Sequence, residues 1–124
     1  MARSKARYVD GFVLPVPKKK IAAYRRMAQK AGRIWREHGA LEFRECRGDD
    51  LRVRMGVAFP KVARARAGET VFFSWIAYKS RAHRDRVNAA VMKDERLSKM
   101  MEGQPMPFDV KRMAYGGFSI LIDE

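Results

Sequence analysis

A four-stranded antiparallel sheet with two helices on one face is the α+β fold this sequence predicts, on three observations. Residues 69–97, ETVFFSWIAYKSRAHRDRVNAAVMKDERL, pass from an aromatic and β-branched stretch (Val71 to Lys79) through Ser80 into an amphipathic helical pattern. That is a strand entering a helix through a side-chain cap. A similar strand-then-helix pattern opens the chain at Tyr8, and further strand patterns follow each helix. The order is therefore β-α-β-β-α-β, and right-handed crossovers make it the ferredoxin-like split fold.

Each element has its own signal. Tyr8 to Leu14 forms the first strand, with Tyr8, Asp10, Phe12 and Leu14 on one side and Val9, Gly11 and Val13 on the other. Pro15 and Pro17 end it. The first helix runs from about Lys18 to His38, with Ile21, Tyr24, Ala28, Ala31 and Trp35 as its apolar stripe. Gly39 sits where a C-terminal glycine cap belongs, and His38 closes the helix where a cation suits the dipole. Ala40 to Arg47 is the second strand, and Gly48-Asp49-Asp50 a turn. Arg52 to Phe59 reads as a ragged strand or an ordered loop, and Pro60 to Gly68 as a basic connector with room for one helical turn. Val71 to Lys79 is the third strand. The second helix starts after Ser80 and reaches about Leu97, with His83, Val87, Ala90 and Leu97 on one side. Ser98 to Asp109 is a loop, and Val110 to Ile122 the fourth strand, interrupted by Gly116-Gly117. That glycine pair marks a bulge or a close backbone approach.

Size and composition suit one domain over residues 1–124. At this length roughly 65–70% of the unfolded surface can be buried, and 47% of the residues are apolar. The single cysteine, Cys46, rules out an internal disulfide and suits a reducing compartment. The N-terminus MARSKARYVDGF lacks the apolar core of a signal peptide, and no apolar run approaches a spanning helix. A cytoplasmic protein with no membrane partner is the expectation. The net charge of +13 is lopsided: residues 1–66 hold 18 Lys/Arg against 6 Asp/Glu, and residues 67–124 hold 9 against 8. Such a field attracts nucleic acid, anionic membrane or acidic small molecules, or simply solvates one helix face.

The third strand carries the main structural argument. Phe73, Trp75 and Ala77 lie on one side, Phe72, Ile76 and Tyr78 on the other, and the two helices cover only one set. A monomer then exposes an aromatic face above the few hundred Å² usual for soluble monomers. A second copy of the chain is the simplest cover.

Three segments, YVDGFVLPVPKKKIAAYRRMA, FSWIAYKSRAHRDRVNAAVMKD and MPFDVKRMAYGGFSILID, resemble the YbaA-like family of small bacterial proteins of unknown function. The resemblance spans Tyr8 to Asp123. It implies a ferredoxin-like subunit paired into a dimeric α+β barrel, and it brings no activity or catalytic residue with it. By analogy of fold alone, dimeric α+β barrels include cofactor-independent oxygenases and haem-degrading enzymes with pockets between sheet and helices.

No motif commits to a reaction. The candidate pocket residues are His83, Glu45, Arg112 and Trp75. His83 lies in the first turn of the second helix, where the dipole disfavours its protonated form. Glu45 shares a strand face with Leu41 and Phe43, and Arg112 shares one with Phe118 and Ile120; an ionisable group on an apolar face needs a partner or a ligand. Glu45 and Arg112 lie on opposite edge strands, so they do not pair within one subunit. Trp75, Tyr78 and Tyr115 suit a flat pocket for an aromatic or acidic ligand, or ordinary packing. His38, Cys46 and His83 are too scattered for a metal site, Gly116-Gly117 lacks the lysine and helix of a phosphate loop, and Ser74 lacks a nucleophile elbow. No cofactor is expected.

Two function classes follow. One is a homodimer that binds or transforms a small anionic or aromatic molecule between sheet and helices. The other is an RNA-binding module that uses the aromatic third strand and the basic first half. The third strand lacks the glycine-aromatic spacing of the RNA-recognition motif, and much of the charge sits on the first helix, away from the open sheet face. A structural protein without a pocket is the remaining class.

Overall fold

A computed structural model describes residues 5–103 and 105–124. Met1 to Ser4, within the N-terminal segment read above, and Gln104, within the expected Ser98–Asp109 loop, lie outside the described residues. The elements are β1 (Tyr8–Pro17), α1 (Ile21–Glu37), β2 (Glu42–Arg47), α2 (Phe59–Val62), β3 (Glu69–Tyr78), α3 (Arg81–Met92), α4 (Glu95–Met101) and β4 (Ala114–Ser119). The four strands form one antiparallel sheet in the order β2-β3-β1-β4. No helix among the described residues is long and apolar enough to cross a membrane.

The first strand outruns its expected end at Leu14. It stays paired through Pro15↔Val71 to Pro17↔Glu69. The direction of the backbone groups explains this. Lys18 N–H donates to Gly68 O on the β3 side, while Arg7 O accepts from Ile120 N–H on the β4 side. In the regular register even-numbered groups of β1 bond to β3 and odd-numbered ones point toward β4; Arg7, just before the strand, departs from it, its N–H donating to Tyr78 O. Pairing with β4 stops at Val13↔Ala114, so the missing N–H groups of Pro15 and Pro17 face a side with no strand to bond, where proline is tolerated.

Two other boundaries moved for local reasons. The helix expected from Ser80 to Leu97 breaks after Met92 and restarts as α4, because Asp94 caps the new start by accepting from Arg96 N–H at 2.9 Å. The fourth strand begins only at Ala114, because Asp109 accepts from Lys111 N–H and winds Val110–Arg112 into a 3₁₀ turn. Arg112 therefore lies in that turn and not on a strand face beside Phe118. The glycine pair sits in unbroken register, Gly117 opposite Asp10 and Gly116 opposite Gly11, so there is no bulge there. The close approach is real: a Cβ on Gly117 would lie 2.1 Å from the Tyr8 hydroxyl. Gly39 has φ +114° and accepts its cap role, its N–H donating to Arg36 O. Ser80 caps α3 through His83 N–H. Residues 52–58 form no strand, and the basic connector holds the single turn α2.

The even-numbered residues of β1 and β3 face α1 and α3. One core cluster joins Tyr24 and Ala28 of α1 to Leu14, Val16 and Phe72 of the sheet; the other joins Ile34 of α1 and Val87 and Val91 of α3 to Tyr8, Ala40, Ile76 and Tyr78. On α1 the buried side includes Gly32 and Ile34, a slight rotation from the expected stripe. The opposite sheet face carries Val9, Val13, Phe73, Trp75 and Phe118. Phe73 is 44% exposed and Phe118 62%, and Phe59 of α2 meets Phe73 edge-on at the margin.

Candidate functional site

An open groove of about 760 Å³ runs between α1 and the edge strand β2. The geometry follows from the sequence. Gly32 lets α1 come down on β2, since a Cβ there would stand 2.8 Å from the Phe43 ring. Strand alternation turns Phe43, Glu45 and Arg47 toward the helix, opposite Ile76, Ser74 and Phe72 of β3. Tyr24, Phe43 and Phe72 supply aromatic floor and walls, and Arg25, Arg33, Arg36, Arg44 and Arg47 line the same space.

These arginines differ in what holds them. Arg36 is committed to the backbone, donating to Ala40 O at 2.9 Å and to Leu41 O. Arg44 stands 3.8 Å from Glu42. Arg25, Arg33 and Arg47 have no ion-pair partner among the described residues. A cleft lined by one sign of charge concentrates ligands of the other.

Glu45 sits among them. The residue is exposed at the sheet edge, and its Oε2 accepts from the Tyr24 hydroxyl at 2.8 Å and from the Ser74 hydroxyl at 2.5 Å. Burial pushes its pKa above the ordinary glutamate value, against the two hydroxyls, which lower it. Burial, and then the Glu45 charge, push the Tyr24 phenol well up, so it stays a donor.

The other sequence candidates lie elsewhere. His83 accepts from Lys79 N–H at Nδ1 (2.9 Å) and meets the Tyr78 ring edge-on. Desolvation first, then Lys79 and Arg86, lower its pKa. With Nδ1 accepting, the neutral ring carries its proton on Nε2, beside Gly39. Arg112 holds Glu69 through two bonds of 2.7 and 2.8 Å and also donates to Arg64 O. Trp75 lies on the sheet face away from α1 and α3, tilted against Phe73, so it shares no pocket with Tyr78 or Tyr115, which face the helices. The four candidates are not brought together; of them only Glu45 lines the groove.

A second polar cluster escaped the sequence reading. Asp10, 1% exposed, receives Arg84 Nη1 at 2.8 Å, and Tyr115 Oη lies 3.4 Å from its other oxygen. The Arg84 guanidinium lies 5.1 Å over the Tyr8 ring. Asn88 Oδ1 takes bonds from Trp35 Nε1 and Tyr78 Oη. Burial raises the Asp10 pKa, opposed mainly by Arg84. The signal was present: Arg84, Val87, Asn88 and Val91 share one side of α3 at helical spacing, and Asp10 sits on the inward side of β1. Among the described residues no cluster of His, Cys, Asp and Glu is arranged to hold a metal ion.

These features define an antiparallel α+β domain with a basic, aromatic-floored groove at one sheet edge. The chain belongs to the family described as "Protein of unknown function (DUF1428)", which it matches over residues 7–110. It is 46% identical over 118 residues to "Uncharacterized protein YbaA" of Escherichia coli strain K12, spanning 95% of this chain and 99% of that protein. The YbaA proteins of Escherichia coli O157:H7 and Shigella flexneri match to the same extent.

Proposed function

We propose that this protein is a homodimer of ferredoxin-like subunits, joined through their open sheet faces as a dimeric α+β barrel, and that each subunit binds a small anionic, preferably aromatic, molecule in the groove between α1 and β2. The observation that carries the binding role is the set of arginines without ion-pair partners, Arg25, Arg33 and Arg47, around an aromatic floor. Arginine forks suit carboxylate or phosphate, and aromatic walls suit a flat body.

The strand order and antiparallel pairing support the split β-α-β assignment. Support for pairing comes from the exposed Phe73 and Phe118, continued past β4 by Leu121 and Ile122, which are 93% and 73% exposed. Four strands about 4.8 Å apart and 20–30 Å long present roughly 400–600 Å² per copy, near the lower bound for a specific interface when doubled. Nucleic acid fits less well. The exposed Phe73 and Phe118 lie on the open side of the sheet, and Arg25 and Arg33 of α1 lie across the domain from them, so stacking on that face and phosphate contacts have no common surface.

Calorimetric titration with benzoate, phenylpyruvate and the neutral benzyl alcohol tests the groove. Saturable binding of the two anions, weakened by salt and by the Arg33→Ala/Arg47→Ala double substitution, is expected. Equal binding of the alcohol, or a double variant that binds as well as the parent, counts against it.

A further inference from the structure

Glu45, exposed at the sheet edge, differs from the more enclosed carboxylates in what binds its carboxyl group. Asp10, Glu69 and Asp94 have side chains 2%, 10% and 12% exposed, and each is bound by an arginine: Arg84, Arg112 and Arg96. Glu45 lines a groove with five arginines and pairs with none of them. Its partners are two neutral hydroxyls on residues each 3% exposed, Tyr24 and Ser74.

Both hydroxyls converge on Oε2. Oε1 has no partner among the described residues. With the Oε2 lone pairs taken, a proton arriving at this carboxyl goes to Oε1. The arrangement suits a group that gains and loses a proton while its position stays fixed. In Asp10, Glu69 and Asp94, by contrast, both oxygens are engaged.

Resting on the groove as a binding site for small organic anions, we propose that Glu45 is its proton-transferring catalytic residue, with Oε1 taking a proton from carbon beside the carbonyl of a 2-oxo acid. The C–H bond breaks, its electron pair forms the C=C bond, and the carbonyl π pair moves onto oxygen. The proton goes to Oε1 and returns to that oxygen, giving the enol, or to carbon, regenerating the keto form. Glu45 begins and ends as carboxylate, and the cycle needs no oxidant, reductant or co-reactant. Arg47 shares the inward side of β2 with Glu45, and Arg33 lines the groove from α1; between them they hold the carboxylate and meet the developing enolate charge.

Phenylpyruvate in D₂O is the probe, with proton NMR following loss of its benzylic hydrogens and calorimetry following its binding. The intact protein should speed exchange at least tenfold over buffer. Glu45→Gln should bind the probe and unfold at nearly the parent temperature, yet exchange at the buffer rate. Tyr24→Phe removes a donor that lowers the Glu45 pKa, so its rate should rise with pH later than the parent's. Binding without exchange above buffer, or exchange by Glu45→Gln at the parent rate, overturns this role and leaves the binding site standing. Failure to bind removes both.

Discussion

Arg84→Met probes the buried Asp10 cluster. Asp10 is 1% exposed and takes its one charged contact among the described residues from Arg84 at 2.8 Å; the Tyr115 hydroxyl at 3.4 Å is a weak substitute. Methionine keeps much of the stem that packs near Tyr8 but leaves a buried carboxylate without a cation. Breaking a buried pair from one side costs about 3–5 kcal/mol. Asn88 also lowers the Asp10 pKa and remains, so about 3 kcal/mol is expected, a fall of roughly 10 °C in melting temperature for a domain of this size. The sign of the pH dependence follows from Asp10. Its folded pKa is already raised by burial, and Arg84 is the largest influence lowering it. Without Arg84 it rises further, so the variant pays most at neutral pH and recovers as pH falls toward the unfolded value of about 4. Urea unfolding at pH 7.5 and 5.0, at one protein concentration, measures this. The double variant Asp10→Asn/Arg84→Met should be more stable at pH 7.5 than Arg84→Met alone. A single variant within 1 kcal/mol of the parent, or no relief in the double, refutes the reasoning.

Three further outcomes are expected. Gly117→Ala places a methyl 2.1 Å from the rigid end of Tyr8; it should cost about 1–3 kcal/mol by overpacking in thermal unfolding, whereas Gly116→Ala, whose Cβ finds nothing nearer than 3.7 Å, should cost less. The two bonds from Arg112, chiefly, hold the Glu69 pKa at about 2. That lowered value stabilises the fold above the unfolded pKa of about 4.3 and is lost as pH falls toward 2, so Glu69→Gln should flatten acid unfolding in that window; an unchanged acid profile contradicts the pairing. Phe73→Asp should convert a dimer to a monomer in sedimentation velocity, because it buries an unpaired charge at the centre of the proposed interface. A parent protein that sediments as a monomer at high concentration removes the interface altogether.

Much of the architecture was legible because it rests on local chemistry. Ser80 before an amphipathic run, and Gly39 after one, mark helix ends by satisfying backbone groups that any helix leaves open. Boundaries that depend on a neighbour were not legible. Whether Pro15 ends β1 depends on whether a strand lies on its N–H side, and β4 stops short of it. Whether the helix after Ser80 continues past Met92 depends on Asp94, which also bonds His38 at 2.8 Å, a residue 56 positions away.

The candidate site divides the same way. Alternation along β2 placed Glu45 on an apolar side needing a partner, and that much followed from residue order alone. Its partners, Tyr24 on α1 and Ser74 on β3, come from 21 and 29 residues away, and neither is signalled by spacing. Arg112 and Trp75 went the other way. One was drawn into a pair with Glu69, 43 residues off, and the other was turned by strand alternation to the face away from α1 and α3. Residue order determined which groups are apolar, charged or helix-ending, because those properties belong to each side chain and its near neighbours. Tertiary packing decided which charges found partners and which stayed free, because a pairing exists only where the folded chain brings distant groups within a few ångströms.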